Sequence, residues 1–212
     1  MIRILALADL HNDEMVLDRL RVLESDRKYD YLVVAGDVTG KNISYAQDFI
    51  SIVQQVFWVP GNNESEEVRR MFEDAKFSVH GKRVEIKEGF NVVGFGFSTP
   101  TPFKTPGEMP EEEIYAHMSS LKIDANTILI THSPPHGLFD SIGEGINIGS
   151  RSIRKIIEEK QPKLALFGHV HEHFGKANIG RTICIKIPHA PSLKAAAVEI
   201  RHGHVEVYFV EI

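Results

Sequence analysis

The sequence predicts an α/β fold built on a parallel sheet, and three observations carry that expectation. Short, nearly uninterrupted apolar runs recur along the chain, segments with helical apolar spacing separate them, and no internal repeat or linker breaks the alternation. Apolar runs without in–out alternation are what strands buried on both faces look like, as in a parallel sheet covered by helices.

"IRILALA" (2–8) reads as the first strand and "YLVVA" (31–35) as the second, with Val16, Leu17, Leu20 and Leu23 at helical spacing between them. Ala46, Phe49, Ile50 and Val53 mark a second helix, "VFWV" (56–59) a third strand, and Val68, Met71, Phe72 and Ala75 a third helix. "RVEIKEGFNVVGFGF" (83–97) then reads as a hairpin turning at Glu88 and Gly89. The proline-rich "STPTPFKTPGEMP" (98–110) is a long loop, expected on the substrate side, before a helix that starts near Pro110. "TILIT" (127–131), a helix carrying Ile153, Ile156 and Ile157, and "LALF" (164–167) resume the alternation. The closing segments "TICIKI", "AAAVEI" and "HVEVYFV" read as an antiparallel meander.

With 212 residues, 42% of them hydrophobic and 25% charged, the chain suits one well-buried domain, 1–212. No apolar run approaches the roughly 20 residues that span a bilayer, and "MIRILALADLHND" lacks the pattern of a secretory leader, so a cytoplasmic protein with no membrane partner is expected. Cys184 is the only cysteine, which rules out an internal disulfide and leaves nitrogen and oxygen as metal ligands. A formal charge of −5 disfavours broad binding to a nucleic-acid backbone, so nucleic acid is expected only as a substrate. The same charge leaves room for bound cations, and a homo-oligomer stays open.

Five apolar runs end on residues able to bind a metal: Asp9, Asp37, Asn62, His132 and His169. In open α/β sheets ligands bind beyond the carboxyl ends of strands, so these residues are expected to meet at the site of chemistry. Any one of them could be a simple turn residue; the set, with His11 two residues after Asp9 and His171 two after His169, points to metal ligation. In "LFGHVHEHFG" the alternation of an extended segment puts His169, His171 and His173 on one face.

The motifs "DLH" (9–11), "GD" (36–37), "GN" (61–62), "THSPP" (131–135) and "GHVH" (168–171) resemble, in this order, those of the calcineurin-like metallophosphoesterases. "GFGFSTPTPFKTP" and "INIGSRSIRKIIEEKQPKLALFGHVHEHFG" are similar to the subgroup of predicted phosphoesterases related to the Icc protein. The resemblance implies a four-layer αββα sandwich of two mixed sheets flanked by helices, holding two divalent metal ions. Carried over residue by residue, it implies that Asp9, His11, Asp37 and His171 bind one ion, Asp37, Asn62, His132 and His169 the other, and that Asp37 bridges them. Imidazole and carboxylate ligands suit manganese, iron, nickel or zinc. The implied activity is hydrolysis of a small-molecule phosphoester by in-line attack of a metal-bridging hydroxide.

One departure bears on the substrate. Many family members continue the glycine–asparagine motif with a histidine that protonates the leaving oxygen; here the motif reads "GNNE", with Asn63 in that place. An amide cannot supply a proton near neutral pH, and because family members without this histidine tend towards phosphodiesters, the resemblance implies a phosphodiester rather than an alkyl monoester. His136 in "HSPPHG" is the candidate replacement acid. Glu64 is expected to place a favourable charge in the first turn of the following helix, and His173 to lie on the rim. Gly149, Ser150 and Arg151 form a candidate oxyanion site at a helix start, with ordinary capping as the alternative. "IKIPHAPSL" keeps Pro188 of the family's C-terminal turn but not its asparagine and glycine. A second function class, a non-catalytic protein-binding module on this fold like the related retromer subunit, stays open because fold alone proves no chemistry.

Overall fold

The computed structural model describes residues 1–26 and 28–212. Three strand–helix units come first: β1 (Ile2–Leu7), α1 (Glu14–Asp26), β2 (Tyr31–Ala35), α2 (Ile43–Ile52), β3 (Val56–Val59) and α3 (Glu66–Asp74). Next come β4 (Arg83–Glu85), β5 (Asn91–Phe95), α4 (Glu111–Ser120), β6 (Thr127–Thr131), the small hairpin β7 (Ser141–Ile142) and β8 (Ile146–Asn147), α5 (Arg151–Lys160) and β9 (Leu164–Phe167). The chain closes with β10 (Gly175–Ile179), β11 (Thr182–Lys186), β12 (Lys194–Arg201) and β13 (His204–Glu211).

The strands form two large mixed sheets, one ordered β13-β12-β1-β2-β3 and the other β10-β11-β9-β6-β5-β4. β1, β2 and β3 run parallel, as do β5, β6, β9 and β11. Alternate side chains of each strand go to different layers. Ile4, Ala6, Val33 and Ala35 meet Val92, Ile130, Leu166 and Ile185 between the sheets. Leu5, Leu7, Leu32 and Val34 instead face α1, α2 and α3 through Leu17, Leu20, Phe49 and Phe72. On the far side Val93, Leu129 and Phe167 pack against Ile114 and Met118 of α4 and Ile153, Ile156 and Ile157 of α5. The result is the four-layer helix–sheet–sheet–helix sandwich with flanking helices that the resemblance implies.

Side-chain caps fix where the helices begin. Asn42, Ser65 and Ser150 each accept a hydrogen bond from the backbone N–H three residues on, opening α2, α3 and α5. The expected hairpin is present, with β4 antiparallel to β5 and left-handed backbone at Glu88 and Gly89. The C-terminal meander is corrected. Of its three segments β12 and β13 pair with each other, while β11 lies in the other sheet, parallel to β9 and antiparallel to β10. Its apolar residues belong beside β9: Ile185 packs between the sheets and Cys184 against the outer helices. No described helix is long and apolar enough to cross a membrane.

Candidate metal centre

Each candidate ligand stands on a turn that leaves the carboxyl end of a parallel strand. Asp9 and His11 follow β1, Asp37 follows β2 and Asn62 follows β3; from the other sheet, His132 follows β6, and His169 and His171 follow β9. Backbone hydrogen bonds lace the turns together. The Asp9 N–H donates to Gly36 O at 3.0 Å, His11 N–H to Asp37 O at 3.0 Å, and Gly168 N–H to His132 O at 3.0 Å. The His169 N–H donates to the Asp9 carboxylate at 2.9 Å, joining the sheets. Asp9, His11, Asp37 and His169 all have left-handed backbone, with φ of 58°, 50°, 53° and 74°. Such a conformation costs a non-glycine residue about 1–3 kcal/mol, so the surrounding bonds must hold it. Gly61 is needed for closeness: a Cβ there would overlap the Asp37 carboxylate.

The side chains converge in a buried group, Asp9, Asp37 and His132, and a more open group, His11, His171 and His189. His132 Nε2 lies 3.0 Å from Asn62 Oδ1, 3.1 Å from His169 Nδ1 and 3.7 Å from Asp37 Oδ2. His11 Nε2 and His171 Nε2 are 3.2 Å apart, and His171 Nε2 is 3.8 Å from Asp9 Oδ1. Bonds of about 2.0–2.2 Å to one divalent ion set neighbouring ligand atoms roughly 3–3.5 Å apart, which these spacings approach. Asp9 and Asp37 are 0% and 2% exposed. Among the described residues, histidines alone lie within ion-pairing distance of their carboxylates. The buried Lys186 acts on Asp9 from beyond ion-pairing distance, and carboxylates so placed, faced at contact distance only by clustered imidazole nitrogens, fit divalent cations.

Protonation supports the same chemistry. His132 Nδ1 meets Ala35 O at 2.8 Å, and as the donor there it turns the lone pair of Nε2 into the cluster. Burial, helped by neighbouring His132, pushes His169 down to about 4, leaving a neutral ring able to ligate. Burial would raise the Asp9 carboxyl, but the hydrogen bond with His171 and the electrostatic influence of His132 and the buried Lys186 hold it below the usual range.

The remaining expected residues separate. Asn63 lines the cleft, and its backbone N–H (3.0 Å) and side-chain amide both donate to Asp37. Glu64 departs from the helix-charge expectation: Ser65 caps α3, while Glu64 is fully buried and accepts from Val38 N–H at 2.7 Å and Gly61 N–H at 2.8 Å. It clamps the Asp37 turn to the Asn62 turn, and burial beside Asp37 pushes its carboxyl well up. His136 is not brought into the cleft; it faces Asp140 at 3.5 Å. His173 bonds Ser141 Oγ of the small hairpin at 2.9 Å. The helix start at Gly149–Arg151 is already occupied by this chain: the Glu111 carboxylate accepts from Ser150 Oγ at 2.8 Å, Arg151 N–H at 2.7 Å and Ser152 N–H at 3.0 Å.

The chain's similarity to known proteins decides among the folds that could carry such a cluster. The family model for calcineurin-like phosphoesterases matches residues 2–173. The chain belongs to the calcineurin-like phosphoesterase family. An uncharacterised protein of Methanocaldococcus jannaschii is 38% identical over 166 residues, 74% of this chain and 76% of that protein. The crystal structure of TT1561 of Thermus thermophilus has a TM-score of 0.76 at 16% identity, over 98% of both chains. A dimetal phosphatase from Danio rerio has a TM-score of 0.62 at 11% identity, over 99% of this chain and 98% of that one. At those identities the two structures show the fold alone. Family membership supports a metal-dependent phosphoesterase and implies divalent ions, for which the Asp and His cluster is the candidate site.

His189 escaped the sequence reading, which took only Pro188 from its turn. Its ring stacks on His171 at 4.1 Å between centroids and lies 5.8 Å from His11. The signal is that His189 follows β11, another parallel strand whose end reaches the same edge, and reading "TICIKI" as part of an antiparallel meander hides it.

Proposed function

We propose that the protein is a dinuclear phosphoesterase that prefers phosphodiesters. Asp9, His11, Asp37 and His171 are assigned to one divalent ion, and Asp37, Asn62, His132 and His169 to the other, with Asp37 shared. The observation that carries this reading is the convergence of these seven side chains from two sheets, two of them buried carboxylates met at ion-pairing distance only by histidines. Like charges a few ångströms apart repel strongly, so a carboxylate between the ions is what a paired site needs. Once bound, the ions supply an activated water for in-line attack and neutralise the phosphoryl oxygens. Manganese, iron, nickel and zinc all suit the ligands, and manganese is the first to try.

The protein's own groups then hold and orient. Glu64 fixes the turns bearing Asp37 and Asn62, and Asn63 aims the Asp37 carboxylate by two donated hydrogen bonds. Asn63 offers no proton to a departing oxygen. The cleft also has no lysine or arginine among its described lining residues, which suits the single charge of a diester better than the two of a monoester.

The test joins elemental analysis to hydrolysis of bis(p-nitrophenyl) phosphate with added manganese. Two ions per chain and turnover abolished by chelation are expected. Metal uptake without turnover of any diester or monoester would favour a binding module.

A further inference from the structure

The cleft before the candidate ligands encloses about 380 Å³, and its lining is of two kinds. One part is the site itself, with His11, Asp37, Asn62, Asn63, His169 and His171. The rest comes from two excursions beyond the sheets. The loop after β5 supplies Pro100, Pro102 and Phe103 with three threonines, and the region of the small hairpin supplies Ile142 and Ile148.

From this arrangement, and resting on the phosphoesterase reading, we infer that the cleft takes a phosphoester whose organic group is uncharged and apolar, an aryl or alkyl group seated against Phe103, Ile142 and Ile148. Three observations carry the inference. First, Phe103 is 84% exposed although it lines the cleft, so a phenyl ring is presented to solvent beside the reacting centre. A single exposed ring is unremarkable on a protein surface; one that lines a cleft together with two isoleucines and two prolines gives that cleft an apolar lining. Second, no lysine or arginine is among the described lining residues. A second phosphate or a carboxylate on the substrate would therefore lose water without gaining a partner.

Third, the wall has a held shape. Ser98 N–H donates to Gly107 O at 2.9 Å and Met109 N–H to Ser98 O at 2.8 Å, closing the base of the loop. Glu108 accepts from Thr101 Oγ1 at 2.6 Å, Thr105 N–H at 2.8 Å and Thr105 Oγ1 at 2.7 Å. On the other side, His173 holds the small hairpin through Ser141. A wall already ordered loses little conformational freedom when a ligand arrives.

The experiment measures binding by calorimetry, with metal-loaded protein and three singly charged phosphinates that have no ester bond to hydrolyse: dimethyl-, methyl(phenyl)- and methyl(4-carboxyphenyl)phosphinate. The phenyl probe should bind about tenfold more tightly than the dimethyl probe, as expected for partial burial of one ring. The carboxylated probe should lose that advantage. Phe103→Ala should bring the phenyl probe close to the dimethyl probe while leaving the latter unchanged, and Ile142→Ala should do the same in smaller measure. Equal binding of dimethyl and phenyl probes, a preference for the carboxylated one, a preference untouched by both substitutions, or no binding at all would each overturn the inference. Because binding needs no turnover, failure of the phosphoesterase reading shows separately, as absent diester hydrolysis in the same preparation.

Discussion

At position 63 an asparagine directs its backbone N–H and its side-chain amide at the same carboxylate, that of Asp37. With no acid there, and with His136 turned to Asp140, the proposed reaction would release its departing oxygen with little proton assistance. The rate should therefore fall steeply as leaving-group pKa rises across a series of aryl and alkyl phosphodiesters. Asn63→His should raise turnover of the poor leaving groups, toward the lower end of the roughly 10²–10⁴ that general acid catalysis supplies, because the substitution also removes a donor from Asp37. Good leaving groups should gain much less. A flat dependence in the unaltered protein, with chemistry rate-limiting, would show that another group already protonates the leaving oxygen. These five candidate ligand positions were legible because each closes a buried apolar run, so position along the chain and position in space coincide at Asp9, Asp37, Asn62, His132 and His169. Glu64 was not: a carboxylate before a helix looks the same whether it faces solvent or crosses between two turns to accept from Val38 and Gly61.

The loop at 98–108 couples the cleft wall to the site, because Thr105 Oγ1 accepts from the Asn62 amide at 3.0 Å and itself bonds Glu108 at 2.7 Å. Burial opposes ionisation of Glu108, yet the hydroxyl and backbone donors from Thr101 and Thr105 hold its carboxyl down to about 2. A lowered carboxylate contributes stability that is complete above the ordinary value of 4.5 and is lost as pH falls through about 2. Glu108 is half-buried and still reached by water, so the contribution is small and local. Amide exchange across 98–108 should accordingly show the loop still protected at pH 4. Glu108→Gln should loosen it at neutral pH and weaken metal retention by a few fold through Asn62. Unchanged protection and unchanged metal retention in that variant would remove Glu108 from the role. Elements were legible where periodicity was strong, as in the first three strand–helix units. β10 was missed because only Ile179 of its five residues is buried, which leaves no apolar run to see. β11 was misplaced because its partner β9 is separated from it in the chain by β10, and pairing across that distance leaves no local mark.

Between the two sheets lies a shared apolar core, and at one edge of it the candidate ligands come from both sides: Asp9, His11, Asp37 and Asn62 from the first sheet, His132, His169 and His171 from the second. Metal bound there would join the sheets as well as serve the reaction, and the protein without metal must carry two buried carboxylates that only histidines and the more distant Lys186 compensate. A ligand that binds only the folded state stabilises it by about 2.7 kcal/mol at a hundred times its dissociation constant. For a chain of 212 residues, that corresponds to a rise in Tm of roughly 5–10 °C. Manganese titrated into metal-stripped protein should produce a rise of this size, and chelator should reverse it. Asp37→Asn separates the electrostatic argument from general cation effects. Removing the shared carboxylate relieves buried charge in the stripped protein, so its Tm should equal or exceed that of the unaltered stripped protein, while the metal-induced rise and the metal content should both collapse. If the variant instead keeps full metal content and the same thermal rise, Asp37 does not link the ions, and the charge that holds the two sheets' ligands together must be sought at Asp9.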